Sequence, residues 1–531
     1  MGLTEKLQTA MAEKLVIPEQ FNIAEHFLER PAREHPDRVA ILGELARVRY
    51  RDLATLADRV AAALIREGIA AGDRVLIVLP DSAEFIATFF GVAKIGGIAV
   101  PVNPMTREAD YAHYGKDSAA RLAIVHEIAL AAFLPALREL RDILIVVVGA
   151  SAQTPVAAKH WQDWLASTSE RIPARCTRST DPAFFLYTSG SGGTPKGAVH
   201  MHKDMLATSH GFARGVMGIG PDDITYSVSK LFFAYGLGNG MYFPFSVGAA
   251  TVLDPERPRP ERTAELLRKH RPSIFFAVPT FYAALLREVE NGLVADFSSV
   301  RLSVSAGERL PPEIFERFKA RFGLEILDAI GSTEMLHMFL SPQQGRMRAG
   351  SCGFPVPGYD AKIVDDEGSP VPDGDIGNLW VKGESAFSGY WKIPELTTRT
   401  KIGEWVITGD KFYRDGDGYY HYCGRSDDMM KVSGMWVAPT EVENALLGHP
   451  KVAEAAVVGV IEPTGLTRPL AFVVIPPGVA PTAELAEDLR KFVRAKLPGY
   501  KCPAEVKFLD ALPKTATGKI QRFRLRGGPT S

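Results

Sequence analysis

The residues Tyr187-Thr188-Ser189-Gly190-Ser191-Gly192-Gly193-Thr194-Pro195-Lys196-Gly197 have the types and spacing to hold a phosphate. The glycines let backbone N–H groups close around an anion, the short hydroxyls add donors, and the lysine supplies a point charge. The run is not a Walker A sequence, because that pattern needs Gly directly before the Lys and Pro195 stands there; a P-loop kinase or NTPase is therefore disfavoured. Gly/Ser/Thr runs also make flexible linkers. Here the apolar residues 183–187 before the loop and Ala198-Val199 after it argue instead for a buried strand feeding a site.

A second candidate is Asp328-Ala329-Ile330-Gly331-Ser332-Thr333-Glu334, which follows an apolar run at 324–327. A strand ending in Gly, two hydroxyls and a carboxylate can hold Mg²⁺ beside phosphate, with Glu334 as the hard oxygen ligand. The same letters also spell a helix start with Ser332 or Thr333 as cap. Three further features are individually plain: Thr408-Gly409-Asp410 as a turn, Gly424-Arg425 as a strand end, and Pro513-Lys514-Thr515-Ala516-Thr517-Gly518-Lys519 as a basic tail. Their weight lies in their combination and order.

The elements that must position these residues follow from hydrophobic periodicity. Strand-like runs at 74–78, 143–148, 183–187 and 274–278 alternate with amphipathic or Ala/Leu-rich stretches. That alternation predicts an α/β fold of parallel-type sheets covered by helices. Near Gly350 it gives way to short apolar runs broken by Gly, Pro and Asp, which predict a β subdomain with hairpin turns at 364–369 and 413–418. After Arg425 the polar residues 426–428 lead into an α+β tail of about a hundred residues, a normal size for a small domain. The expected organisation is a large N-terminal domain, 1–425, and a small mobile C-terminal one, 426–531. Within the tail, Thr440 and Glu443 are expected to form a capping box on a helix that turns Val442, Ala445 and Leu446 inward.

Composition sets outer limits. At 531 residues the chain exceeds what one core supports, since single cores stop growing at about 250 to 300 residues. Its 46% hydrophobic and 23% charged residues suit a globular protein with a large core. A net charge of -1 offers no overall field to draw nucleic acid or an anionic membrane. The most apolar window, 85–102, is interrupted by Lys94 and Gly96-Gly97, and is expected to be a helix followed by a strand rather than a membrane span. The N-terminus shows no basic segment followed by an apolar core, so no signal peptide is expected and the cytoplasm is the default location. Cys176, Cys352, Cys423 and Cys502 form no CxxC pair, which argues against a zinc site and a disulfide framework.

Taken in order, these motifs resemble the adenylate-forming superfamily of acyl- and aryl-CoA ligases, luciferases and peptide-synthetase adenylation domains, from about residue 21 to 526. Within that span, Lys230-Leu231-Phe232-Phe233-Ala234-Tyr235-Gly236-Leu237-Gly238-Asn239 and residues 330–339 are most similar to benzoate-CoA ligases. The resemblance implies a two-step reaction. A carboxylate first attacks the α-phosphate of ATP, giving an acyl-adenylate and pyrophosphate; the CoA thiol then displaces AMP.

It also implies roles. Thr188, Ser189, Gly190, Ser191, Thr194 and Lys196 would hold the β- and γ-phosphates, Thr333 would contact the α-phosphate and Glu334 would hold Mg²⁺. Gly307, Glu308, Asp328 and Ile330 would line the adenine, while Asp410 and Arg425 would bind the ribose. Lys519 matches the lysine that bridges the substrate carboxylate and the α-phosphate. Asp427 matches the hinge about which the small domain turns, bringing Lys431 and Gly434 toward a thiol tunnel. Ala234, Tyr235, Gly331 and His337 match the lining of a flat pocket for benzoate or an aminobenzoate such as anthranilate. Gly192 departs from the pattern: many relatives carry Thr there, so a hydroxyl donor is missing; neighbouring backbone N–H groups could compensate, and weaker ATP binding rather than loss of activity is expected. Two other readings stay open, an adenylation enzyme that loads a carrier-protein phosphopantetheine and a catalytically silent nucleotide-binding protein.

Overall fold

The structure is a computed structural model and describes residues 15–43, 47–140, 142–149, 158–166, 168, 170–189, 194–432, 435–461, 467–514 and 520–526. Its large N-terminal domain is built on two mostly parallel sheets. The first has eight strands in the order Gly389–Tyr390, Pro195–Met201, Pro182–Ser189, Ile98–Pro101, Arg74–Val78, Leu122–His126, Leu144–Val148 and Lys159–His160. Val75 is paired in parallel with Ala99 on one side and Leu122 on the other. Strands so enclosed are buried on both faces, which is why they appear as continuous Val/Ile/Leu runs. The second sheet has seven strands in the order Ile326–Asp328, Leu302–Ser305, Ile274–Ala277, Ile224–Ser227, Ala250–Val252, Val39–Leu42 and Arg47–Arg49, with only the last pair antiparallel.

The apolar window at 85–102 forms the helix Ala83–Lys94 and the strand Ile98–Pro101, as its glycines predict. Gly96, at φ +77°, makes the reversal between them. The helix is buried nearly all round, and Phe85, Phe89 and Phe90 are fully enclosed. Lys94 ends it in the interior, neutralised by Glu29 at 2.6 Å and by Asp58. A buried ammonium is tolerated only with such partners. No helix among the described residues is long and apolar enough to cross a membrane.

From residue 359 the chain makes an antiparallel subdomain of strands Tyr359–Val364, Gly377–Gly383, Lys401–Ile402, Trp405–Arg414 and Tyr420–Arg425. Both expected turns are present; Asp415 closes the second by accepting from the N–H groups of Asp417 and Tyr419 at 3.0 and 2.9 Å. The small C-terminal domain packs the helices Pro439–Leu447 and Ala483–Lys496 against the sheet Glu454–Ile461, Thr467–Val474, Glu505–Phe508. Its own core includes Val442, Leu446, Val457, Val473, Leu489 and Val493.

The expected capping box there is corrected. Pro439, with its fixed φ and missing N–H, takes the first helical position, so Ala438 is the cap and Thr440 lies inside the helix. The Thr440 hydroxyl instead donates to the Cys423 carbonyl at 3.2 Å, and Glu443 accepts from Val457 N–H at 2.8 Å. Val442, Ala445 and Leu446 are buried as expected. All four cysteines are free thiols.

Candidate active site

The residues flanking the expected phosphate loop pair as an antiparallel hairpin, Pro182–Ser189 with Pro195–Met201, in which Thr188 lies opposite Lys196. Two bonds tie the hairpin to the helix Glu108–Ser118: Tyr187 Oη donates to Asp117 at 2.7 Å, and His113 Nε2 to the Pro195 carbonyl at 2.7 Å. Thr194 is exposed and Lys196 half-buried, with no ion pair on its ammonium among the described residues. Gly190 and Ser191 lie outside the described residues, and Ser189 is placed by its backbone.

Thr333 and Glu334 sit on a single 3₁₀ turn, Thr333–Met335, capped by Ser332, whose hydroxyl accepts from Met335 N–H at 3.2 Å. The helix-start reading of Ser332 is thus correct locally. The turn ends abruptly at Leu336, whose φ of 65° and ψ of -42° with His337 N–H donating to the Met335 carbonyl at 2.8 Å make a positive-φ γ-turn, a strained conformation for a leucine. Glu334 is held from a distant segment: its carbonyl accepts from Phe387 N–H at 2.8 Å and its Oε1 from Tyr390 Oη at 2.6 Å. A lone half-buried carboxylate suits Mg²⁺, which takes most of its ligands from water and substrate phosphate and only one or two from carboxylates. Tyr390, 56 positions from Glu334, carries no local sequence signal for this role.

Asp410 and Arg425 are brought together as opposite residues on neighbouring strands, with Arg425 Nη1 3.1 Å from Asp410 Oδ1 and 2.8 Å from the Thr408 carbonyl. The Asp410 carboxylate holds the guanidinium pKa above its ordinary value. Gly409, at φ +74°, has to be glycine: a Cβ there would lie 2.8 Å from Arg425 Nη2.

Gly307, also at positive φ, and Glu308 follow the strand Leu302–Ser305; Asp328 ends the neighbouring strand and Ile330 begins the next. Asp328 is buried and points at Leu310 N–H, 3.4 Å away; burial pushes its carboxyl up to about 8. A folded pKa above the ordinary one means the native state binds the extra proton, so a stability penalty is absent below the usual carboxylate range and grows as pH rises toward 8. Asp328→Asn is therefore expected to raise stability relative to the native chain at pH 8 and above, on the order of 2 kcal/mol, with the difference shrinking toward pH 5. Urea unfolding of both proteins across that range checks it.

Of the residues expected to line the acid pocket, Ala234 and Tyr235 begin the helix Ala234–Leu237, and Gly331 and His337 flank the 3₁₀ segment and its γ-turn. Tyr235 presents only its ring: its hydroxyl donates to the Val304 carbonyl at 3.1 Å. The His337 ring is packed against Phe243, Phe212 and Tyr235 at centroid separations of 4.5, 5.3 and 5.8 Å. Its Nε2 is 3.2 Å from Asn239 Oδ1, which requires the N–H form there, and its Nδ1 is buried without a hydrogen-bond partner among the described residues. Burial lowers its pKa to about 3, so the ring is neutral. At Gly331 a Cβ would lie 2.3 Å from the His337 carbonyl, so the chain's own reversal demands glycine. Asn239, fully buried, joins this set although the sequence did not single it out as a site residue.

At the domain junction the Asp427 carbonyl accepts from Arg526 Nη2 at 2.9 Å. Lys431 is placed by its backbone in the strand Met430–Val432; Gly434 and Lys519 lie outside the described residues.

The fold and this juxtaposition define an adenylate-forming type of enzyme. The chain belongs to the AMP-binding enzyme family, whose profile matches residues 28–391, and residues 441–519 match the AMP-binding enzyme C-terminal domain. A benzoate–CoA ligase of Thauera aromatica is 43% identical over 514 residues, 96% of each chain. Among solved structures, the anthranilate CoA ligase AuaEII in complex with anthranoyl-AMP superimposes with a TM-score of 0.90 at 36% identity, over 99% of this chain and 98% of that one. A benzoate CoA ligase from Burkholderia xenovorans LB400 gives 0.87 at 40% identity, over 95% of this chain and all of the other.

Proposed function

We propose that this protein is an AMP-forming aryl-CoA ligase that activates benzoate or an aminobenzoate such as anthranilate. One oxygen of the aryl carboxylate attacks the α-phosphorus of ATP and the bond to the β-phosphate oxygen breaks, releasing pyrophosphate. The sulfur of CoA then attacks the acyl carbon, the acyl–phosphate oxygen bond breaks, and AMP leaves.

Neither carboxylate nor polyphosphate welcomes the other, so the chain's work is positioning and charge compensation. Thr188, Ser189, Gly190, Ser191, Thr194 and Lys196 take the β- and γ-phosphates, Thr333 the α-phosphate, Asp410 and Arg425 the ribose, and Gly307, Glu308, Asp328 and Ile330 the adenine. Glu334 would hold Mg²⁺, which would neutralise phosphate charge. Lys519 bridges the two reacting anions. The boundary between domains falls at 425/426, and turning about Asp427 withdraws Lys519 and brings up Lys431 and Gly434 for the thiol step, while closure excludes water.

The observation that carries this reading is the uncharged aromatic pair of Tyr235 and neutral His337, with His337 joined to Thr333 and Glu334 through a single strained turn. A flat ring placed against that pair directs its carboxylate toward the nucleotide residues. Incubation with aryl acid, ATP and CoA tests it: aryl-CoA should form. Transfer to a carrier-protein phosphopantetheine, with CoA inert, would favour the adenylation-enzyme reading instead. Tyr235→Ala is expected to raise the KM for the aryl acid about tenfold or more, the loss of one ring wall being worth roughly 1–3 kcal/mol, and to leave the KM for ATP unchanged. Steady-state kinetics in both substrates checks this.

A further inference from the structure

His200 lies within the second strand of the phosphate hairpin, with its ring fully buried, and has no part in the reaction outlined above. Its Nε2 is 2.8 Å from the Thr333 carbonyl oxygen. A carbonyl only accepts, so this nitrogen carries a proton and donates. Its Nδ1 is 2.8 Å from Asp204 Oδ2, which also accepts from Met201 N–H at 3.0 Å. The imidazole further stacks on Phe184, its cross-strand partner, at 5.2 Å between centroids and 18° between planes. A ring bonded at both nitrogens and stacked on one face has no freedom to rotate.

We propose that His200 is a positioning residue for adenylation: by fixing the Thr333 carbonyl, it aims Thr333 and Glu334 at the phosphates held by its own hairpin. The inference rests on the aryl-CoA ligase reading and deepens it. Glu334 is tethered by Phe387 and Tyr390, but the bond from outside the turn to residue 333 comes from His200, across 133 positions of sequence. The turn it holds is strained at Leu336, so releasing that bond lets the 3₁₀ segment relax away from its working place. The phosphate hairpin and the α-phosphate segment belong to different sheets. This imidazole ties them together at Thr333, as Tyr390 on the hairpin's edge strand does at Glu334.

Three substitutions separate positioning from packing. His200→Phe keeps the stacked ring but cannot donate; His200→Asn keeps a partner for Asp204 but is too short to reach Thr333; His200→Gln places an N–H donor near the position of Nε2. Acid-dependent ATP–pyrophosphate exchange should fall about 10–100-fold in kcat for the Phe and Asn proteins, the scale of an ångström-level misplacement. The KM for ATP should move less than about threefold, as for an interaction expressed mainly in the transition state. The Gln protein should recover most of the rate, and thermal unfolding run alongside confirms which variants are folded. Native-like exchange in a folded Phe or Asn protein overturns the proposal. So does a Gln protein as slow as the other two, which would reduce His200 to packing and its Asp204 bond. Absence of exchange in the native protein defeats the ligase reading, and the inference with it; native exchange with indifferent variants defeats the inference alone.

Discussion

Lys519→Ala is expected to slow adenylation about 10²–10³-fold, roughly 2.7–4 kcal/mol, while leaving thioester formation from supplied aryl-adenylate within a few-fold of native. The asymmetry follows from electrostatics. In the first step two anions are forced together, and a cation between them is worth most as charge gathers on the α-phosphate. In the second, the anhydride already exists and a neutral thiol or thiolate attacks carbon, so the same cation has no comparable task. The described residues on either side of 515–519 are anchored within the small domain. Gln521 N–H donates to the Pro513 carbonyl at 2.8 Å, Lys514 pairs with Glu454 at 2.7 Å, and Arg522 grips Glu443 with two bonds of 2.9 Å. Single-turnover assays of the two half-reactions measure the split, and equal losses in both would contradict it.

Asp427→Pro is expected to impair one half-reaction at least about tenfold more than the other, because proline fixes φ near -65° and biases the preceding residue to extended backbone. A junction so locked populates one domain arrangement at the expense of the second. The surroundings of Asp427 make this a local test. Ser426 N–H donates to the Gly409 carbonyl at 2.9 Å on the large-domain side, and Arg526 reaches the Asp427 carbonyl from the small domain. Asp427 also lies in a turn closed by the Arg425 carbonyl, which accepts from Asp428 N–H at 3.0 Å and Met429 N–H at 3.1 Å, so the KM for ATP is measured alongside. The two half-reactions, assayed separately on the purified variant, decide the matter; uniform impairment removes Asp427 as the pivot.

What could be read in the sequence was whatever is local. The apolar run entering a Gly/Ser/Thr loop gave the strand at 183–187 but not its antiparallel pairing with 195–201, Lys94 and the glycines that follow gave a helix-to-strand reversal, and the Gly/Asp clusters after 350 gave the β subdomain. Asp410 and Arg425 could be named from their motifs, and the strand register sets them face to face. Hidden from the sequence was everything that depends on distant pairing. His200 meets Thr333 only because two sheets are packed together, and Tyr390 reaches Glu334 because a two-residue strand is added at the edge of the phosphate hairpin. Also hidden was the local demand for glycine at 331, where a side chain would meet the carbonyl of the returning chain at His337. The cap at 438–443 was misplaced because Pro439 outweighs a Thr/Glu pair in fixing where a helix starts.

His337 shows how the structure sharpens the substrate reading. As a sequence position it could donate to or accept from a ring substituent; buried among three aromatic rings, with Nε2 committed to Asn239 and its pKa lowered to about 3, it keeps one acceptor nitrogen free of hydrogen bonds among the described residues. That leaves the aromatic cluster uncharged, with one buried hydrogen-bond acceptor at His337 Nδ1.

The most direct test of adenylation is exchange of radiolabelled pyrophosphate into ATP by the purified protein, with and without benzoate or anthranilate and without CoA. The arrangement of Thr333, Glu334, Tyr235 and His337 predicts exchange that depends strictly on the aromatic acid. No exchange with any aromatic carboxylate, or exchange at the same rate without one, would contradict it.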